Sequence, residues 1–243
     1  MRLREAWDSE AAAWIEWVRR PGHDSYDEFH RDQFFDLLPP PGKLTIDVGC
    51  GEGRVARDMA ARGHRVRAFD GSPTLVAAAR DFTPSIAAEV ADAAALPLPD
   101  ACADLVVAFM VLHDVEDIDA AAREAARVLE PGGRLCFAIV HPINSAGRFK
   151  TKEPDAWFRI GGSYLGRFDY AHPAERNGLK MVFHSRHRPL ADYFAALAAA
   201  GFVVETLREP GVPDDAAARS PSLRRWQRVP LFLHVLARRT PTK

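Results

Sequence analysis

The chain has 243 residues, 47% of them hydrophobic and 27% charged, with a formal net charge of -1. That is enough for one good-sized core, in a single domain carrying insertions, and the balanced charge excludes the general basic field of a typical nucleic-acid binder. Cys50, Cys102 and Cys136 follow no CxxC spacing, which argues against a disulfide framework or a zinc site and for a reducing, cytoplasmic setting. The opening M-R-L-R-E-A-W-D has no apolar leader and no run approaches ~18 apolar residues, so neither signal nor membrane span is expected.

Residues 4–18 carry Trp7, Ala11, Trp14, Ile15 and Val18 at helical spacing, which predicts an amphipathic helix ended by Pro21-Gly22. A second helix is expected over 25–38, with Ser25 as its cap and Glu28 three residues on. Pro39-Pro40-Pro41-Gly42 closes it. Short apolar runs then alternate with helical segments, the pattern of a parallel sheet with crossovers. Strands are expected at 44–48, 65–70, about 85–91, 103–110 and 134–140. Helices are expected at about 53–62, from Ser72-Pro73 onward, and at about 117–129, with Glu130-Pro131-Gly132-Gly133 as a turn.

Residues 142–188 break the alternation with glycines, prolines and aromatics. Residues 180–187 alternate as a strand, with 164–168 as the expected partner. A helix at 190–200, a strand at 202–207 and a strand at 230–238 follow. Residues 210–222 read as a polar surface loop. With no room for a helix between them, the last strands imply a hairpin and an antiparallel edge.

The stretch L-T-I-D-V-G-C-G-E-G-R, residues 44–54, organises these elements. An apolar strand runs into Gly49, Gly51 and Gly53, and helical periodicity follows. Glycines permit positive φ and close approach of a ligand, and the helix start offers free N–H groups to an anion. Asp70 ends the next strand, placed to accept the hydroxyls of a ribose. A dinucleotide fingerprint counted from Gly49 requires glycine at position 54, which is Arg54. This spacing weighs against a nicotinamide-dependent reductase.

D-V-G-C-G-E-G-R resembles instead the first motif of the class I S-adenosylmethionine-dependent methyltransferases. The phrase V-L-E-P-G-G-R-L, about eighty residues on, resembles the same family's approach to its fifth strand. The resemblance implies an α/β, Rossmann-like, doubly wound seven-stranded sheet in the order 3-2-1-4-5-7-6 with strand 7 antiparallel, and S-adenosyl-L-methionine as cofactor. Residues 43–141 and 189–243 would form that core. The resemblance does not cover the rest: residues 1–42 read as a helical lid or as packing against the sheet edge, and 142–188 as a substrate cap.

In such a sheet, ligands lie beyond the carboxyl ends of the strands where the order reverses. The turn amides of Gly49, Cys50, Gly51 and Gly53 would then face the methionine moiety, with Arg54 near its carboxylate and Asp47 near its amino group. Asp70 would take the ribose, Gly71 and Ser72 the adenine rim, Asp92 and the Ala93 amide the adenine itself. A helix cap is the alternative role for Asp92. Phe109 and Met110 end strand four beside the cofactor. His113 and His141, at the rims of strands four and five, are the candidate general bases. Tyr26 and His30 of the lid, with Tyr164, His184 and Arg186 of the insertion, are the candidate substrate residues. His184 and Arg186 on one strand face would grip an anion.

The expected activity is methyl transfer to an oxygen or nitrogen of a small-molecule metabolite, by a monomer or homodimer with no required metal, no membrane and no nucleic acid. No N/D-P-P-Y/F segment or Pro-Cys pair of base-modifying enzymes is present. The local basic cluster Arg219–Arg228 keeps a nucleic-acid or protein substrate as the alternative, and a cofactor-binding protein without turnover is another.

Overall fold

Leu3–Arg19 (α1) is the expected first helix, with Leu3, Ala6, Ala11 and Trp17 buried. The second helix departs from expectation. Ser25 has helical φ/ψ and makes no cap bond. Asp24 serves instead, its Oδ1 accepting from the Tyr26 amide at 3.1 Å. Tyr26–His30 is a π-helical turn, a geometry concentrated at functional sites, and leads into a short helix at Arg31–Phe35 (α2). These coordinates come from a computed structural model describing residues 2–241. Met1, Thr242 and Lys243, at the outer ends of the expected lid and core, lie outside the described residues.

The alternating segment follows: Thr45–Val48 (β1), Arg54–Ala61 (α3), Val66–Asp70 (β2), Pro73–Phe82 (α4), Ala87–Val90 (β3), Ala103–Phe109 (β4), Ile118–Val128 (α5) and Leu129–Val140 (β5). Ser72 caps α4, its Oγ accepting from the Leu75 amide at 3.1 Å, and Asp117 caps α5 through the Ala120 amide at 2.9 Å. β1 and β4 are buried almost throughout because helices cover both sheet faces. The expected turn at Glu130-Gly133 lies inside β5, where pairing with β4 slips between Ala103 and Leu105.

The insertion holds Pro142–Ala146 (α6), a small ribbon of Gly147–Phe149 (β6) with Phe158–Ile160 (β7), and a long hairpin of Phe168–Arg176 (β8) with Leu179–His187 (β9). Of the expected partner 164–168, Phe168 alone lies in β8 and pairs with β9. The hairpin turns on Asn177-Gly178, both with positive φ (51° and 81°), the geometry a two-residue turn demands.

Leu190–Ala199 (α7), Phe202–Arg208 (β10), Asp214–Arg219 (α8), a 3₁₀ turn at Pro221–Gln227 and Phe232–Arg239 (β11) complete the chain. The segment expected as a bare loop thus contains a helix. Ala216 and Ala217 bury it against Phe29, Val212 and Phe232.

The main sheet runs β10-β11-β5-β4-β1-β2-β3, which is the expected seven-strand order. The first five core strands are parallel, and β11 is antiparallel to both neighbours. The order reverses between β1 and β4, and α1 and the β8–β9 hairpin lie across the carboxyl ends at that point. Among the described residues, no helix is long and apolar enough to cross a membrane.

Candidate active site

The turn after β1 can be built only from glycine at two points. Gly49 has φ 71°, and a Cβ there would stand 2.2 Å from a methyl of Val111. Gly51 has φ 56°, and its N–H donates to Asp70 Oδ2 at 2.8 Å. Asp70 Oδ1 accepts from the Ser72 amide, also at 2.8 Å. One carboxylate therefore ties the tips of β1 and β2 together, while burial raises its pKa against the pull of those amides. Met110, with φ 57°, turns the tip of β4 back over the glycines.

These tips floor a cleft of about 1040 Å³. Gly49, Cys50, Gly51, Arg54, Asp70 and Gly71 line it. So do Ser72, Asp92, Ala93, Phe109 and Met110. Gly53 and Asp47 do not. Gly53 starts α3 with φ 90°, and a Cβ there would stand 3.3 Å from the Ala79 methyl. Asp47 lies beneath the turn, where burial raises its carboxyl to about 7, the neighbouring Asp70 adds to the rise, and a hydrogen bond from the Ala56 amide opposes it. The element after Asp92 is β4, so there is no helix for it to cap, the alternative role; its Oδ1 accepts from the Ala94 amide at 2.9 Å within a turn.

The roof is aromatic. Trp7, Trp14 and Trp17 of α1 each meet Phe183 of β9 edge to face at about 6 Å, and Trp7 Nε1 donates to the His184 carbonyl at 2.8 Å. The stripe of Trp7 and Trp14 was visible as a buried helix face; that it faces a ligand cleft had no signal in the sequence. Arg54 is committed to the roof, pairing with Asp24 at 2.7 Å and lying 4.2 Å over the Tyr26 ring. Two further α1 residues reach the floor: Asp8 bonds Ser72 Oγ, and Arg4 lies against Gly71 with Nη1 3.6 Å from Asp92.

Tyr26 and His30 line the cleft as well, with their polar atoms engaged. Tyr26 donates to Asp58 Oδ2 at 2.7 Å. His30 Nε2 is 2.7 Å from His234 Nε2, and its ring stacks on Phe232 at 3.7 Å. Burial depresses both imidazoles, His234 to about 4, so the pair shares one proton between neutral rings. What His30 presents to the cleft is ring surface.

His113 lines the cleft beyond β4 beside Asp114. Its Nε2 is 3.5 Å from Asp114 Oδ1, while its Nδ1 is buried with no partner. Burial and the nearby Arg188 guanidinium push His113 down to about 3, and burial pushes Asp114 well above the usual carboxylate range. His113 is therefore neutral at physiological pH, and the contact is not an ion pair.

Several expected residues lie elsewhere. His141 caps α6 by accepting from the Ile143 amide at 3.0 Å, and its Nε2 is 2.9 Å from Glu209; with both nitrogens turned to the protein outside the cleft, it is not a base for a substrate there. Tyr164 holds the insertion to α7, its hydroxyl accepting from the Leu190 amide at 3.2 Å. His184 and Arg186 do share a strand face, but the wrong one. Strand alternation sends Phe183 and Ser185 into the cleft, and Arg186 instead grips Asp169 through both carboxylate oxygens.

Residues 46–137 match the family model described as a methyltransferase domain. The fold overlays the crystal structure of an S-adenosylmethionine-dependent methyltransferase from Mesorhizobium loti with a TM-score of 0.71 and 29% identity, covering 86% of this chain and 96% of that one. Residues 46–137 thus carry a methyltransferase domain, and the fold is shared with S-adenosylmethionine-dependent methyltransferases. A ubiquinone/menaquinone biosynthesis C-methyltransferase of a Caulobacter species is 39% identical over 124 residues, 45% of this chain and 49% of the relative. A malonyl-[acyl-carrier protein] O-methyltransferase of Serratia marcescens is 34% identical over 122 residues, 50% of this chain and 46% of the relative. The chain spans about half the length of the curated relatives it matches.

The residues present fit the cofactor of this methyltransferase family. The glycine turn leaves a backbone cradle that a Cβ at Gly49 would close. Carboxylates stand at the tips of both β2 and β3 on the cleft wall, where nucleoside hydroxyl and amino groups require acceptors.

Proposed function

We propose that this protein transfers the methyl group of S-adenosylmethionine to an oxygen or nitrogen of a small-molecule metabolite. The observation that carries the reading is that the glycine cradle and His113, whose buried Nδ1 has no partner, line one roofed cleft. A volume of about 1040 Å³ stands at the upper end for ligand pockets, room for a nucleoside cofactor and an acceptor of metabolite size. The first forty residues act as a lid, and residues 142–188 as a cap over the acceptor.

Bound in the cradle, the cofactor supplies an electrophilic methyl group. The Gly49–Gly51 backbone packs against its methionine end, its own N–H groups being taken by the Phe69 carbonyl and Asp70, while Asp70 takes its ribose and Asp92 with the Ala93 amide its adenine. Arg4 must shift from its place between Gly71 and Asp92 to admit the adenine. Its single contact with Asp92 is solvent-exposed, so that movement costs little. Trp7, Trp14 and Phe183 exclude water above. His113 Nδ1 can accept a hydrogen bond from the acceptor's O–H or N–H and aim its lone pair at the methyl. An imidazole held near pKa 3 takes up a full proton reluctantly. It therefore positions an acceptor that still carries its proton better than it deprotonates a reluctant one.

The test is formation of S-adenosylhomocysteine from S-adenosylmethionine and a metabolite extract. Product should vanish when small molecules are filtered away and persist after nuclease; the opposite pattern refutes the reading. His113→Phe should lower turnover at least about tenfold while leaving the affinity for S-adenosylhomocysteine within about threefold. Because His113 stays neutral above pH ~4, turnover should show no acid limb from it between pH 5 and 8.

A further inference from the structure

The basic stretch Arg219–Arg228 has one member that turns inward. Arg225, in the 3₁₀ turn, lines the cleft, and its Nε and Nη1 are buried with no hydrogen-bond partner. Its guanidinium carbon lies 5.6 Å from the ring centre of Phe149 and 6.0 Å from that of Trp226, two rings that meet edge to face at 4.8 Å. The guanidinium is thus seated among aromatic side chains contributed by β6 and the 3₁₀ turn.

Buried N–H donors left without an acceptor are destabilising, and arginine does not escape by giving up its proton. The rest of the cleft offers Arg225 no relief. Arg4, Arg54 and Arg176 also line it, and each already has a carboxylate: Asp92, Asp24 and Glu28. Glu52 is taken by Arg19 and Arg57, Asp70 by the amides of Gly51 and Ser72. Arg148, Lys150 and Lys152 line the cleft too, and among the described residues they form no ion pair. The acids and their partners thus belong largely to the glycine turn and lid, while the insertion and the 3₁₀ turn contribute unpaired cations around one sheltered guanidinium.

We propose that this part of the cleft takes the anionic group of the acceptor substrate, a carboxylate or phosphate on a mainly apolar body, with Arg225 as its anchor. The guanidinium fork matches either group with paired N–H donors, the flanking rings pack the apolar body, and Arg148, Lys150 and Lys152 draw the anion in. This deepens the methyl-transfer reading and rests on it for the word substrate; the anion site stands on its own geometry.

The test is calorimetric titration of the whole protein, with and without S-adenosylhomocysteine, using 1-naphthoate, 1-naphthyl phosphate and neutral 1-naphthamide. At least one of the two anions should bind tenfold or more tightly than the amide. Arg225→Gln should abolish that preference, Arg225→Lys should keep part of it, and Arg224→Gln, at the exposed neighbouring position, should keep all of it. Equal binding of anions and amide by the wild type overturns the proposal, a result that needs no variant to fold. So does an Arg225→Gln variant that melts like wild type and retains the preference. So does displacement of naphthoate by a twenty-nucleotide oligodeoxythymidylate whose binding also depends on Arg225, which would make this a nucleic-acid face. Anion preference without binding of S-adenosylhomocysteine would break the methyltransferase reading and leave the anchor standing; the reverse would break the anchor alone.

Discussion

The two ends of the cleft are made differently. The cofactor end is backbone: a turn with positive φ, amides aimed at a carboxylate, and strand tips supplied by residues 45–93, nearly contiguous in sequence. Its charges are matched within the protein. The other end is side chain: long cations and aromatic rings from residues 148–152 and 223–226, brought together only when the insertion and the β10–β11 connection fold over the sheet. Its charges are left over. A site that holds one invariant ligand can be written into local geometry, whereas a site that selects an acceptor is assembled from segments that can change without disturbing the sheet.

The largest expected effect lies at the cofactor end. Asp70→Ala removes the acceptor for two amides, Gly51 and Ser72, as well as the proposed ribose contact. Hydrogen bonds to a charged group are worth ~1.5–3 kcal/mol each, so affinity for S-adenosylhomocysteine should fall at least about a hundredfold, while binding of 1-naphthoate at the far end should change less than about threefold. Equal losses at both ends would show that the cleft is a single unit and would undo the contrast.

That contrast also separates what the sequence revealed from what it hid. The glycine spacing, Asp70 at the end of its apolar run and the nearly uninterrupted apolar β4 each follow from a local rule, and the sheet order came with the motif they form. The acceptor end obeyed local rules that were harder to weigh. Asn177-Gly178 marks the β8–β9 turn unambiguously, yet 164–168 was the expected partner. A one-residue parity in β9 decides that Phe183 and Ser185, not His184 and Arg186, enter the cleft, and nothing within an alternating strand says which face is roofed. Ala216 and Ala217 seat α8 without a large apolar stripe. His141 stood at the right strand tip, but its nitrogens went to Ile143 and Glu209, partners that no motif predicts.

The next effect is thermodynamic and belongs to the cofactor end alone. Asp47 titrates near pH 7 in the folded protein against ~3.9 when unfolded. Between those values the folded state holds a proton that the unfolded chain has released, so this group's contribution to stability is greatest at low pH and is lost as pH rises toward and past 7. Buried His113 and His234 tilt the other way, because the unfolded chain binds their protons below ~6.5. The measurement is therefore a difference. Asp47→Asn keeps a neutral side chain and the Ala56 hydrogen bond, and relative to it the wild type should lose about 2 kcal/mol between pH 5 and pH 7. Urea unfolding at both values reads this directly, and parallel pH profiles for the two proteins would remove Asp47 from the argument.

The smallest effect tests whether the contrast is complete. Arg186 was the expected anion grip, and it belongs to neither end: it faces away from the cleft, held by Asp169 and by the Glu116 carbonyl at 3.0 Å. Its pair with Asp169 is bidentate but half open to solvent, so screening limits its worth to ~1 kcal/mol or less. Arg186→Ala should lower stability by about that amount, through the hold of the β8–β9 hairpin on the loop after β4. Affinities for S-adenosylhomocysteine and for 1-naphthoate should both stay within about twofold. A larger loss of naphthoate binding would mean that the hairpin reverses its faces when ligand enters, and that the anion belongs to β9 rather than to the 3₁₀ turn. The two arginines answer one question from opposite sides of the roof: Arg225 has buried donors and no partner, whereas Arg186 has partners for its donors and lies outside the cleft.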